Sequence, residues 1–141
     1  GLSAGNVYAN SFVPVFVDLS TPYVAYTDQT LGKVQVMKYN TGSGLWEKLG
    51  ASGINASPGY GMFLSMYVKS GVPYVSFWDN VAGGKVLVVK FNGTSFDVVG
   101  QPNFSYGSAA TTCIFVDSAN VPWVSYVDAG LLSKVVVKKY Y

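Results

Sequence analysis

The sequence predicts an all-β fold assembled from three copies of one small antiparallel sheet, and three observations lead there. Three segments match position by position: Pro22-Tyr23-Val24-Ala25-Tyr26-Thr27-Asp28, Pro73-Tyr74-Val75-Ser76-Phe77-Trp78-Asp79 and Pro122-Trp123-Val124-Ser125-Tyr126-Val127-Asp128, spaced about fifty residues apart. Each is followed by a second match: Lys33-Val34-Gln35-Val36-Met37-Lys38-Tyr39-Asn40, Lys85-Val86-Leu87-Val88-Val89-Lys90-Phe91-Asn92 and Lys134-Val135-Val136-Val137-Lys138-Lys139-Tyr140. No stretch carries helical periodicity; short β-branched and aromatic runs alternate with Gly, Asn, Asp and Pro.

Each copy then reads as four runs in order. A leading loop (Ser3 to Gly5, Ser57 to Gly59, Ser105 to Gly107) enters an apolar first strand ending at Val17, Val68 or Val116. Pro22, Pro73 and Pro122 open the second strand, where a missing N–H does least harm to a ladder. The lysine-flanked segments form the third strand. The fourth is present as Leu45-Trp46-Glu47-Lys48-Leu49-Gly50 and Ser95-Phe96-Asp97-Val98-Val99-Gly100, and the third copy stops before it. Asn92-Gly93 predicts a tight hairpin, because both positions tolerate positive φ. The copies span about 3–50, 57–100 and 105–141 of a single 141-residue domain.

A sheet with one wet face alternates apolar and polar residues, yet Val86-Leu87-Val88-Val89 and Val135-Val136-Val137 are apolar at successive positions, so both faces need cover. Radial stacking of small sheets supplies it, each blade pressing on the blades before and after. It also explains why only 11% of residues are charged, against about 25% in an average soluble domain. The Pro-Tyr-Val-x-Tyr-x-Asp, Lys-Val-x-Val-x-Lys-Tyr-Asn-Gly and Trp-x-x-Val-Gly elements resemble β-propeller repeats of bacterial and archaeal secreted or surface proteins. That resemblance implies three four-stranded blades, the last lacking its outer strand, in a larger or oligomeric propeller that is extracellular or on the cell surface. Propellers have about 4 to 8 blades, so three do not close a ring. Either further blades come from the same longer chain, or identical chains associate, most simply two making six blades. The longer chain is preferred, because self-assembly alone leaves the fourth strand missing.

The composition excludes much chemistry. All nine cations are lysine, so there is no imidazole for acid–base work or metal ligation and no guanidinium for phosphate or guanine. Neither nucleic acid nor membrane insertion is expected, and the recurrent Lys33, Lys85 and Lys134 with Lys38, Lys90 and Lys139 read as solvated strand ends and edge protection. Cys113 has no partner for a disulfide and reads as a small buried hydrophobe. Glu47 is the one glutamate and no acid pair recurs close in sequence, so no enzyme, metal or cofactor is expected.

The leading loops and the second-to-third-strand loops emerge on one face, since successive strands reverse. There Asp28, Asp79 and Asp128 would lie beside Tyr60, Tyr106 and Trp78, a combination of carboxylate acceptors and flat apolar surface suited to a glycan. A repeated Asp at a strand end also has a structural use, accepting backbone N–H groups in its turn. Asn55, Asn92 and Asn103 stand in Asn-x-Ser/Thr sequons, candidates for N-glycosylation. The function expected is a non-enzymatic scaffold or interaction module. Its rivals are a lectin-like propeller and an engineered or excised fragment that homo-oligomerises.

Overall fold

A computed structural model describes residues 2, 6–7, 12–54 and 61–140. Three antiparallel sheets follow one another along the chain. The first contains β1 (Val15–Asp18), β2 (Thr21–Asp28), β3 (Lys33–Asn40) and β4 (Leu45–Leu49). The second contains β5 (Gly61–Lys69), β6 (Val72–Asp79), β7 (Lys85–Phe91) and β8 (Phe96–Val98). The third contains β9 (Ala109–Val116), β10 (Pro122–Asp128) and β11 (Lys134–Lys139), with no fourth strand among the described residues. Each sheet is a meander, its strands side by side in chain order. This is the all-β, open propeller arrangement that the repeat predicts.

Register repeats with the sequence. Pro22, Pro73 and Pro122 stand opposite Val17, Val68 and Val116, and Asp28, Asp79 and Asp128 stand opposite Lys33, Lys85 and Lys134. Because side chains alternate across a strand, register divides each sheet into two faces. The front carries Tyr23, Val34 and Val36 in the first sheet and Tyr74, Val86 and Val88 in the second; the back of the second carries Val75, Phe77 and Leu87, and that of the third carries Val124, Tyr126 and Val136.

Packing of front onto back makes the core. Tyr23, Val34 and Val36 meet Met66, Val75 and Phe77, while Tyr74, Val86 and Val88 meet Ile114, Val124 and Tyr126. Burying one such side chain stabilises the fold by about 1.5–3 kcal/mol, so these two joints hold the sheets in line. A polar thread crosses the second joint: the Thr112 hydroxyl donates to the Phe63 carbonyl at 2.6 Å and accepts from the Ser76 hydroxyl at 3.0 Å.

Several local features depart from the sequence reading. Asn92 flanks its hairpin instead of sitting in it. Its Oδ1 accepts from Thr94 N at 2.9 Å and Ser95 N at 2.8 Å, which leaves Gly93 as the residue with positive φ, at 103°. Single 3-10 turns, Asn80–Ala82 and Ala129–Leu131, interrupt the all-strand pattern between β6 and β7 and between β10 and β11. Cys113 is exposed, not buried. It pairs with Ser125 on the front of the third sheet, and the described residues supply no blade to cover that face. Among the described residues no helix is long and apolar enough to cross a membrane.

Candidate functional site

On the loop face, the described leading segments of the first and third blades are clipped to second-to-third-strand loops. Gln29 N donates to Asn6 O at 2.8 Å in the first blade, and Ala129 N donates to Ser108 O at 2.9 Å in the third. Between the second and third blades, Ala109 N donates to Gly84 O at 2.8 Å. These bonds bring together the two sets of loops that strand reversal places on one face.

The aspartates at the strand ends organise those loops. Asp28 Oδ1 accepts from Thr30 N at 2.9 Å and Leu31 N at 3.0 Å, and Asp79 Oδ1 accepts from Val81 N at 3.1 Å, capping its 3-10 turn. Asp128 reaches further. Its Oδ1 accepts from Gly130 N and Gly107 N, both at 2.9 Å, and its Oδ2 from Tyr106 N at 2.8 Å. One buried carboxylate therefore ties a leading loop to a turn 22 residues later.

Their electrostatics differ although the residue is the same. Burial raises the Asp79 carboxyl above the usual carboxylate value, against the lowering effect of hydrogen bonds from Val81 and Ala82. At Asp128 burial also pushes upward, but hydrogen bonds from Gly107, Tyr106 and Gly130 together outweigh it and hold the carboxyl below its ordinary value.

Of the aromatic candidates, Tyr106 is 81% exposed beside the Asp128 carboxylate that holds its backbone. Trp78 is half-buried, and its indole N–H donates to Ser108 Oγ at 3.1 Å across the second joint. Tyr60 and Asn55 lie outside the described residues, as do Ser3 to Gly5 and Ser57 to Gly59. Asn103 has φ 53° with its Oδ1 buried, and the Asn92 amide donates to Ser95 Oγ and Asp97 Oδ2. The structure adds two residues that the sequence reading did not select. Gly84, at φ +78°, has space on neither side for a Cβ, which would run into Trp78 and Ser108. The Gly83-Gly84 pair was the visible signal; Ser108 had none.

The lysines lie along the blade flanks. Lys90 Nζ sits 5.5 Å over the Tyr74 ring and Lys139 Nζ 5.4 Å over that of Trp123, each placing its ammonium over an aromatic face. Among the described residues no group of three or more His, Cys, Asp or Glu could hold a metal ion. An open hollow of about 570 Å³ lies between the Gly71 turn and residues 92–97, at the opposite end of the strands from the aspartates.

No protein-family model and no curated protein matches the sequence. Solved structures do match in fold. One is a fucose lectin from Kordia zhangzhouensis in complex with methyl-fucoside, with TM-score 0.56 and 14% identity over 92% of this chain and 96% of that one. A bifunctional GH43-CE protein of Bacteroides eggerthii gives TM-score 0.53 and 15% identity, with 94% of this chain aligned on 20% of that one. An exo-1,5-alpha-L-arabinanase from a bovine ruminal metagenomic library gives TM-score 0.51 and 11% identity, with 90% of this chain aligned on 51% of that one. The chain thus spans nearly the whole lectin but only part of the two longer proteins. At these identities the likeness concerns the propeller fold alone.

Proposed function

We propose that this chain is a non-enzymatic β-propeller interaction module acting outside the cell or on its surface. The observation that carries this reading is the use of its acids. All seven are already engaged in holding the fold. Asp28, Asp79 and Asp128 accept backbone N–H groups of their loops; Asp18 accepts from Gly71 N at 2.7 Å, and Asp117 from Ala119 N and Val121 N, both at 2.9 Å. Glu47 and Asp97 accept from the Asn40 and Asn92 amides at 2.6 and 2.9 Å. Glycoside hydrolysis needs two carboxyl groups facing one scissile bond, one of them held protonated. Incubation of purified protein with aryl glycosides and arabinan tests the reading: no release of product is expected, and turnover abolished by Asp79→Asn or Asp128→Asn would refute it.

A second reading, carbohydrate binding, is favoured by the exposed Tyr106 ring and by the end-to-end fold likeness to a lectin. Tyr106 and Trp78 would offer flat surface to a sugar ring, with Tyr60 from the second leading loop, and Asp28, Asp79 and Asp128 would shape the loops around it. A glycan array should then show hits that Tyr106→Ala removes while leaving the circular dichroism unchanged.

A further inference from the structure

We infer that the loop end of this protein docks on an anionic phospholipid surface, its second-to-third-strand loops dipping aliphatic tips into the headgroup boundary while the lysines behind them meet the lipid phosphates. No segment spans the bilayer in this arrangement. The inference rests on the reading of the chain as an interaction module, and the two fail separately, since catalysis shows on soluble glycosides and lipid attachment only on vesicles.

Each of the three loops raises an aliphatic side chain into solvent. Leu31, Val81 and Leu131 are all exposed, and beside Leu131 stands Leu132 at 87% exposure. The aspartates fix these tips. Asp28 accepts from the N–H of Leu31 itself, Asp79 from that of Val81, and Asp128 from that of Gly130, the residue before Leu131. Leu132 adds strain to exposure: its φ is 58°, in the left-handed region that leucine seldom enters. A strained, solvent-facing leucine lowers stability in water, and strained positions of this kind cluster where a partner is bound.

Charge is sorted in the same direction. The sequence holds no charged residue at 1–17, 51–68 or 98–116, the stretches that run up to and through the first strands, and the loops 29–32, 80–84 and 129–133 hold none either. The three aspartates at this end are buried, with oxygens turned to backbone N–H groups. The charge that remains is cationic: Lys33, Lys85 and Lys134, one per blade, stand opposite those aspartates in register. An aliphatic tip with an ammonium group a few residues behind it matches the layering of a lipid surface, acyl chains within and phosphates above.

The opposite end of the strands is built differently. There Asp18, Lys69 and Asp117 share one repeat position at the close of the first strands, so both signs of charge are mixed. Its most exposed leucine, Leu19, is replaced by Ser70 and Ser118 in the other copies, so that apolar tip is not repeated. Other occupants fit the loop end less well. Blades meet through fronts and backs, which leaves this end open however many blades there are. A second copy docked by the same face would oppose lysine to lysine.

Flotation of the purified chain with vesicles tests the inference. The protein should rise with phosphatidylcholine vesicles containing about one-third phosphatidylglycerol and should bind phosphatidylcholine alone about 10²-fold more weakly, because each lysine near an anionic surface is worth about fivefold. Molar salt should erase that difference. Joint Leu131→Ser and Leu132→Ser substitution should weaken binding about tenfold or more, and Lys134→Gln about fivefold, both with unchanged circular dichroism. Leu19→Ser, at the other end, should leave binding as it is. Absence of flotation, equal binding to the two kinds of vesicle, or a loss from Leu19→Ser equal to that from the paired leucine variant overturns the inference. Flotation abolished by a soluble methyl glycoside means glycan recognition and overturns it too. So does a lipid-free dimer that the paired leucine variant dissociates, since that result gives the loop end to a second copy.

Discussion

Replacing Asp128 by Asn should cost far more than the same change at Asp79, although both occupy one repeat position. Asp128 holds three backbone N–H groups with two oxygens. Asn keeps one oxygen, for Gly107 and Gly130, and turns its amide N–H toward the Tyr106 N–H. One hydrogen bond to a charged acceptor, worth about 1.5–3 kcal/mol, disappears, and the two that remain weaken to the neutral value of about 1 kcal/mol. These losses come to about 2.5–7 kcal/mol, and relief of the burial that opposes ionisation offsets part of them, leaving a net cost of about 3 kcal/mol. At Asp79 the retained oxygen still serves Val81 N at 3.1 Å, and the burial that opposed ionisation is relieved, so the cost should stay below about 1 kcal/mol. Urea midpoints at equal slope and fixed protein concentration measure both. The sign with pH is also set. A carboxyl held below its ordinary value contributes stability above the unfolded pKa, near 4, and loses it as pH falls through the folded value. The gap between wild type and Asp128→Asn should therefore narrow in acid. Equal costs for the two variants, or a gap indifferent to pH, would refute the assignment of Asp128 as the clasp of the third leading loop.

Neighbouring glycines should separate in the same assay. Gly83→Ala, at φ +70° with open space around it, should cost about 1 kcal/mol, whereas Gly84→Ala adds the collision with Trp78 and Ser108 and should cost about 3 kcal/mol with a change in tryptophan fluorescence. Tyr140→Phe should stabilise the protein by about 1 kcal/mol, because the buried Tyr140 hydroxyl has no hydrogen-bond partner among the described residues. Burial, and then the neighbouring Tyr126, push the Tyr140 phenol well above the usual tyrosine range. The wild type should accordingly lose stability as pH rises beyond the unfolded value near 10, where the unfolded chain releases this proton first, and Tyr140→Phe should flatten that loss in alkaline urea titrations.

The repeat made the strands legible because alternation, proline and turn chemistry are local. Pro22 and Asp28 mark the second strand almost to the residue, and Lys33 marks the start of the third. Coverage was not local. The run around Cys113 reads as apolar on both faces, and which face stays wet depends on a neighbouring sheet that the run itself does not describe. Bulges were hidden for the same reason: Phe63 and Thr111 take φ of 52° and 51° where β5 and β9 shift register, and neither residue type announces positive φ. At the candidate site the aspartates were visible as a series, but their unequal bonding was not. That inequality rests on Gly107 and Tyr106 approaching from a different segment.

Repeat symmetry is therefore strict where one sheet meets the next and loose where the loops meet solvent. A joint position such as Val34 or Val86 answers to two sheets at once, and a change there disturbs both. A loop residue answers only to its own turn. Asp28 holds two N–H groups of its own turn, Asp79 those of Val81 and Ala82, and Asp128 three from two segments. The three blades thus offer a ligand three different surfaces on one regular frame. On the carbohydrate-binding reading, binding to the loop face should be unequal from blade to blade, strongest where Asp128 holds Tyr106 in place, and calorimetry on Tyr106→Ala should show that site lost.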